Sequence, residues 1–273
     1  MNWSDCKQIG YESLKPIYGE IEASSILRIL HEDLFDKSNS LHMQDLAVFN
    51  TSLSRLLENE PVQYVTGTAY FMGFKLRVNN SVLIPRFETE EVAAMAIKKI
   101  GLGKCRVLDI GTGSGCISLA IKKYCPNAEV WAMDKSTQAL LVAQENAQKL
   151  NLNLNFIQGD FLVQADWANL PHNLDLIVSN PPYVADDEWD KMDISTLKYE
   201  PHIALFAGKD PLLFYKKMAE FGKMGLSLSG KIIAEINEFQ SIQTRMIFDS
   251  MDYHGVEILK DMNGKDRIVY CWR

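Results

Sequence analysis

The first sixty residues carry apolar positions at helical spacing. Ala23, Ile26, Leu27, Leu30 and Leu34 form one stripe of a helix, and Leu46, Phe49, Leu53 and Leu56 form a second. A weaker pattern over residues 6–17 predicts a further helix that breaks near Gly19. Several helices of this length make a small bundle, and no residue in it points to catalysis. After Glu60-Pro61 the texture changes to Tyr64, Val65, Thr66, Tyr70, Phe71, Phe74, Leu76 and Val78, punctuated by Gly67, Gly73 and Asn79-Asn80. Residues 62–82 therefore predict a β-hairpin that joins two domains. Thr89 is placed to cap a following helix over residues 90–100.

From residue 105 onward, short apolar runs alternate with helical stretches. Residues 105–110 form a strand that runs into Gly111-Thr112-Gly113-Ser114-Gly115, and a helix opens at Cys116. Strand, glycine loop and helix make the opening of a nucleotide-binding unit, in which the helix N-terminus offers N–H groups and partial positive charge. Residues 129–133, 154–157, 174–179 and 231–236 are further strands, and Ser136 caps a helix over residues 137–150. Asp210-Pro211 reads as an N-cap followed by proline at the first helical position. The chain closes with residues 256–259 and 267–270 around Asn263-Gly264, a strong hairpin signal. The expected class is α/β, a seven-stranded sheet ending in an antiparallel hairpin, preceded by the helical bundle and the β-hairpin linker.

Candidate chemistry gathers at the strand ends. Asp109 closes the first strand, Asp134 the second and Asp160, followed by Phe161, the third. Asp134 lies where an acid can accept from both hydroxyls of a ribose, Asp160 can accept from an adenine amino group, and Phe161 can stack on that ring. The fourth strand ends in Asn180-Pro181-Pro182-Tyr183. The two prolines stiffen the backbone and donate no N–H, which leaves a rigid corner. The Asn180 side-chain oxygen and the Pro181 carbonyl can accept both hydrogens of a planar –NH2 group, with the Tyr183 ring against its flat face. In an open α/β sheet a ligand lies beyond the carboxyl ends of the strands, so these residues belong to one site. The polar stretch over residues 184–199 is long for a connection and predicts a lid or recognition loop.

Composition narrows the choice of function. With 273 residues, 47% apolar and 23% charged, the chain has the make-up of a soluble protein of about two domains. No run approaches the roughly 20 apolar residues that cross a bilayer, and residues 1–5 lack a signal-peptide layout. Five scattered cysteines and five isolated histidines argue for the reducing cytosol and against a metal site. Net charge is −7, and residues 1–60 hold five Lys and Arg against ten Asp and Glu, so the front is acidic. Nucleic-acid affinity rests on neutralising phosphates, which such a surface does poorly. The dinucleotide fingerprint would place its third glycine at 116, where Cys116 stands, and this disfavours a nicotinamide-dependent dehydrogenase.

These residues together resemble the N(5)-glutamine methyltransferases of peptide chain release factors. The likeness runs through Glu60-Pro61-Val62-Gln63-Tyr64-Val65-Thr66-Gly67, then Leu83-Ile84-Pro85-Arg86 with Thr89-Glu90. It continues through Asp109 to Gly115, Asn180 to Tyr183, Glu200-Pro201 with Ala204-Leu205, and Asp261, Gly264 and Arg267. Phe87 stands where proline is usual, and Pro211 where glycine is usual. Asn-Pro-Pro-Tyr alone is shared with amino-methyltransferases that act on bases of RNA or DNA, the alternative reading. The resemblance implies a class I, Rossmann-like fold that uses S-adenosylmethionine, held by Asp109, Gly111, Thr112, Gly113, Ser114, Gly115, Asp134, Asp160, Phe161 and Asn180. It implies a glutamine substrate held by Asn180, Pro181, Pro182 and Tyr183, of which Asn180, Pro181 and Tyr183 serve catalysis. The expected units are a helical substrate-recognition domain over 1–60, a β-hairpin linker over 61–85 and a methyltransferase domain over 86–273. The expected partner is a release factor, with no nucleic acid or membrane, and the expected state is a cytoplasmic monomer.

Overall fold

A computed structural model describes residues 2–35, 37–38 and 40–273. The Asn2 side chain opens α1 (Trp3–Leu34) by accepting from the Asp5 backbone N–H, and the Asp5 carboxylate accepts in return from the Asn2 backbone N–H. Gly19, at φ 77° and ψ 173°, breaks this helix as expected, because only glycine adopts that backbone without strain. The chain folds back there, and Trp3 stacks on His31 with ring centroids 4.3 Å apart. In α2 (Met43–Leu57), Phe49, Leu53 and Leu56 join Ala23, Ile26, Leu27 and Leu30 in one buried cluster. Both predicted stripes face this core, with Leu34 and Leu46 at its margin.

The predicted hairpin is shorter than its sequence pattern. Residues 62–66 form a helical turn, α3 (Val62–Thr66), and Val62 and Val65, three residues apart, both drop into the front cluster. Arg55 of α2 fastens this turn by donating to Glu60 and to the Tyr64 and Val65 carbonyls. The hairpin proper is β1 (Thr68–Phe71) with β2 (Phe74–Arg77), paired antiparallel. The next helix, α4 (Phe87–Ile100), starts earlier than expected, with Arg86 at its N-cap. Thr89 is thus inside the first turn and 2% exposed, and it caps nothing.

Alternation follows through β3 (Arg106–Ile110), α5 (Cys116–Tyr124), β4 (Glu129–Asp134), α6 (Thr137–Leu150), β5 (Asn155–Gln158) and β6 (Leu174–Ser179). Ser136 caps α6 as expected, accepting from the Ala139 amide. The segment after β6 holds β7 (Val184–Ala185), α7 (Ile194–Tyr199), α8 (His202–Leu205) and β8 (Phe206–Gly208), with β7 and β8 paired. Asp210 accepts from the Leu212 amide in the turn that leads to α9 (Leu213–Gly225). The chain ends with β9 (Leu226–Glu235), α10 (Ser241–Ser250), β10 (His254–Lys260) and β11 (Asp266–Trp272).

The main sheet has seven strands in the order β10-β11-β9-β6-β3-β4-β5. The five strands from β9 to β5 run parallel, while β11 is antiparallel to β9 and to β10. This is the fold expected of a class I methyltransferase. Successive residues of β3 serve opposite faces: Val107 packs in one cluster with Val92 and Leu119, while Leu108 and Ile110 pack in another with Tyr215 and Phe248. Such strands are buried on both sides, hence the near-continuous apolar runs. Chain order places the switch point at β3, since β4 and β5 lie to one side and β6 and β9 to the other.

The segment after β6 is also tied to the front helices. Ser195 donates to the Asn59 carbonyl (2.8 Å), and Tyr199 donates to the Glu58 carbonyl (2.8 Å). Among the described residues, no helix is long and apolar enough to cross a membrane.

Gly115 links this scaffold to the site. It caps α5 at φ +82°, and a Cβ there would sit 3.2 Å from the Ala143 Cβ and from Leu119 Cδ1. Gly115→Ala is therefore expected to cost about 1–3 kcal/mol, read as a lower midpoint in urea denaturation.

Candidate active site

Parallel pairing sets four strand ends level. Ile110 pairs with Met133 on one side and Ser179 on the other, and Ser179 pairs in turn with Ala234. The next residues, Gly111, Asp134, Asn180 and Glu235, therefore start side by side. The Ser179 hydroxyl donates to the Ile110 carbonyl (2.7 Å), and the Gly111 and Thr112 amides both donate to the Met133 carbonyl (2.9 Å each). These bonds anchor the glycine loop beside the Asn180 corner.

Two adjoining cavities open on this row. The first, of about 220 Å³, lies against Gly111, Thr112, Gly113, Ser114, Asp160, Phe161, Asn180 and Pro182. The second, of about 250 Å³, is lined by Pro181 and Tyr183 together with Met192, Thr196 and Leu205. Asn180, Arg86, Leu83 and Ala204 line both, so they form a shared wall. Arg86 forms an ion pair with Glu200, whose other oxygen accepts from the Ile84 amide (3.2 Å). That pair joins the segment before α4 to the one after β6.

Asp109, Gly115 and Asp134 line neither cavity. Asp109 is fully buried behind the loop, where Oδ2 accepts from Thr112 (2.7 Å) and Ser118 (2.5 Å). Asp134 turns its carboxylate to the Gly113 and Ser136 amides (2.9 Å each). Both acids hold the loop's shape from behind. Asp160 lines the first cavity, bonded to Lys135 (2.7 Å) and to the Leu162 amide (3.0 Å). Phe161 is 3% exposed, packed on Trp167 and Phe221, and offers the cavity only a small part of its surface.

Sequence reasoning missed two residues at the corner. The Thr89 hydroxyl donates to Glu235 Oε2 (2.7 Å) and accepts from the Asn180 side-chain nitrogen (2.9 Å). Tyr183 donates to the other Glu235 oxygen (3.3 Å). Burial pushes the Glu235 carboxyl up, against the opposing pull of the Thr89 hydroxyl and the Arg267 charge. Tyr183 is pushed up as well, by burial and then by the Glu235 charge. Glu235 ends the fifth parallel strand, so the strand-end rule that singled out Asp109, Asp134 and Asp160 would have found it.

The first cavity offers a ligand open backbone and a polar wall. Gly111 and Gly113 have φ of +71° and +54°, with nothing within 4 Å of where a Cβ would stand, so bare backbone faces open space. The buried Ser114 hydroxyl, on the same wall, has no partner among the described residues, which suits a polar ligand.

A model of the methyltransferase small domain matches residues 91–198. A release factor glutamine methyltransferase of Flavobacterium psychrophilum is 36% identical over 272 residues, which covers 94% of each chain. One of Bacteroides thetaiotaomicron is 41% identical over 216 residues, covering 79% of this chain and 77% of the other. The chain belongs to the release factor glutamine methyltransferase family. A methyltransferase structure from Pyrococcus furiosus covers 82% of this chain and 98% of its own, with a TM-score of 0.53 at 18% identity. That likeness concerns the fold alone.

In this member of the family, Asp109 carries a measurable pH signature. Burial lifts its carboxyl from the ordinary 3.8 to about 6, against the hydroxyls of Ser118 and Thr112, which pull it down. Between those two values the folded chain holds a proton that the unfolded chain has released, so this group makes stability fall as pH rises through the window. Asp109→Asn removes the penalty on the charge. Its stability relative to wild type should rise by on the order of 2–3 kcal/mol between pH 4 and pH 7, measured by denaturation at both pH values. A constant difference would contradict this.

Proposed function

We propose that the protein transfers a methyl group from S-adenosylmethionine to the side-chain amide nitrogen of the glutamine in the Gly-Gly-Gln motif of peptide chain release factors. The observation that carries this reading is Asn180 on the wall shared by two cavities, with its amide carbonyl bonded to nothing among the described residues. When bound, S-adenosylmethionine supplies an electrophilic methyl group on a sulfonium.

The chain's own residues do the rest. Gly111, Gly113 and Ser114 line the cofactor cavity with backbone and a free hydroxyl, and Asp160 lies at its edge beside Lys135. Asp109 and Asp134 support that loop from behind. In the second cavity, Asn180 Oδ1 and the Pro181 carbonyl accept the two hydrogens of the substrate amide, and the Tyr183 ring bounds it. An amide nitrogen is a poor nucleophile because its lone pair is conjugated with the carbonyl. Holding it toward the first cavity therefore supplies most of the rate enhancement. The nitrogen sheds its proton to water after transfer. Residues 1–60 serve as the substrate-recognition domain, 61–85 as the linker and 86–273 as the catalytic domain.

Incubation with S-adenosylmethionine and a purified release factor should add the mass of one methyl group to the Gly-Gly-Gln glutamine, read by mass spectrometry. Asn180→Ala should lower kcat by roughly 100-fold or more. Methyl groups arriving in RNA or DNA while the glutamine stays unmodified would replace this function by base methylation.

A further inference from the structure

Asn180 can present either end of its amide to a ligand, and the two ends have opposite chemistry: the oxygen accepts and the nitrogen donates. What decides between them is Thr89, beside Asn180 on the wall of the first cavity, and Glu235, which lines neither cavity. Glu235, 2% exposed, sits between the Thr89 and Tyr183 hydroxyls and, as the carboxylate ion, accepts from both. Its Oε2 accepts from the Thr89 hydroxyl at 2.7 Å, so the Thr89 oxygen has no hydrogen left to give Asn180. It can only accept, and it does so from the Asn180 –NH2 group at 2.9 Å. The Asn180 oxygen is thereby turned to the ligand. Tyr183 donates to Oε1 of the same carboxylate, so the ring that bounds the second cavity is anchored by the same group. Thr89 is 2% exposed, which keeps water from supplying a substitute proton.

We propose that Thr89 and Glu235 are positioning residues that lock the Asn180 amide with its oxygen outward, and so make the site select an amide over a carboxylate. This inference rests on the methyl-transfer reading above. A glutamine offers two N–H hydrogens to that oxygen. A glutamate in the same place offers none and meets an acceptor of like polarity. Were Asn180 free to rotate, its nitrogen would greet the carboxylate and the discrimination would shrink. Selectivity thus comes from the hydrogen-bond order through Glu235, Thr89 and Asn180, of which Asn180 touches the substrate amide.

The test uses full-length protein with release factor carrying Gly-Gly-Gln or Gly-Gly-Glu. Wild type should methylate the first and bind it at least roughly ten times more tightly than the second. Thr89→Val, which keeps shape and removes the hydroxyl, should lower kcat by roughly tenfold or more and narrow the Gln/Glu affinity ratio. Its affinity for S-adenosylhomocysteine should stay within about threefold of wild type. Thr89→Ser should restore both kcat and the ratio. Glu235→Leu, which frees the Thr89 proton, should narrow the ratio as Thr89→Val does. The Asn180 side-chain amide signal in NMR, assigned through its loss in Asn180→Asp, should shift in Thr89→Val and return in Thr89→Ser. A Thr89→Val protein with wild-type kcat, ratio and amide signal would overturn the inference while leaving the methyltransferase reading intact. An inactive wild type would overturn the reading itself, and the NMR result would still decide whether the amide is locked.

Discussion

The structure depends on one register: Ile110 level with Ser179, and Ser179 level with Ala234. Parallel ladders fix such alignment by a row of backbone hydrogen bonds, and a slip of one residue would send every side chain to the opposite face. Here a slip would drive Ile177 and Val178 out of their clusters and swing Asn180 off the cavity wall. The apolar cost of misalignment therefore guards the placement of a polar group. Precision at the corner is inherited from packing several residues away, which is how a short motif can be exact without many contacts of its own.

The same row explains why buried carboxylates are tolerated. Asp109 and Glu235 lie on strands flanking β6, both are pushed toward protonation by burial, and both are met by hydroxyl donors. One carboxylate holds a loop and the other sets a side chain's orientation, so each does its work through neighbours. Burial of an acid costs stability unless hydrogen bonds offset it, and here the offset comes from Thr112 and Ser118 in one case and Thr89 and Tyr183 in the other. The site is thus built in two tiers, a lining of backbone and amide over a layer of carboxylates.

Much of this was legible in the sequence. Apolar periodicity located the front helices and the break at Gly19, and Asn-Gly between two apolar runs located the closing strands. The Asn-Pro-Pro-Tyr corner falls beside the glycine loop because both follow adjacent strands. What the sequence did not disclose is which way a strand-end side chain turns. Asp109 and Asp134 stand at the ends of the strands as expected, yet their carboxylates face the loop's own backbone and hydroxyls. Thr89 has the composition of a cap, but the helix begins at Phe87 and carries it inward to Glu235. Likewise residues 62–66 carry strand-prone side chains, and tertiary burial of Val62 and Val65 on the front cluster prevails over that propensity.

The wall of the second cavity hangs on α2 by bonds to main-chain oxygens, those of Glu58 and Asn59. A carbonyl is present whatever residue bears it, so these bonds do not depend on the side chains there, and the Lys198–Glu58 side-chain ion pair (3.5 Å) is exposed and adds little. This seam is sensitive instead to length. Inserting or deleting a residue at the end of α2 would shift both acceptors and pull Thr196, between Ser195 and Tyr199, out of line with the pocket. Relatives that drift freely in composition here would still have to keep the spacing.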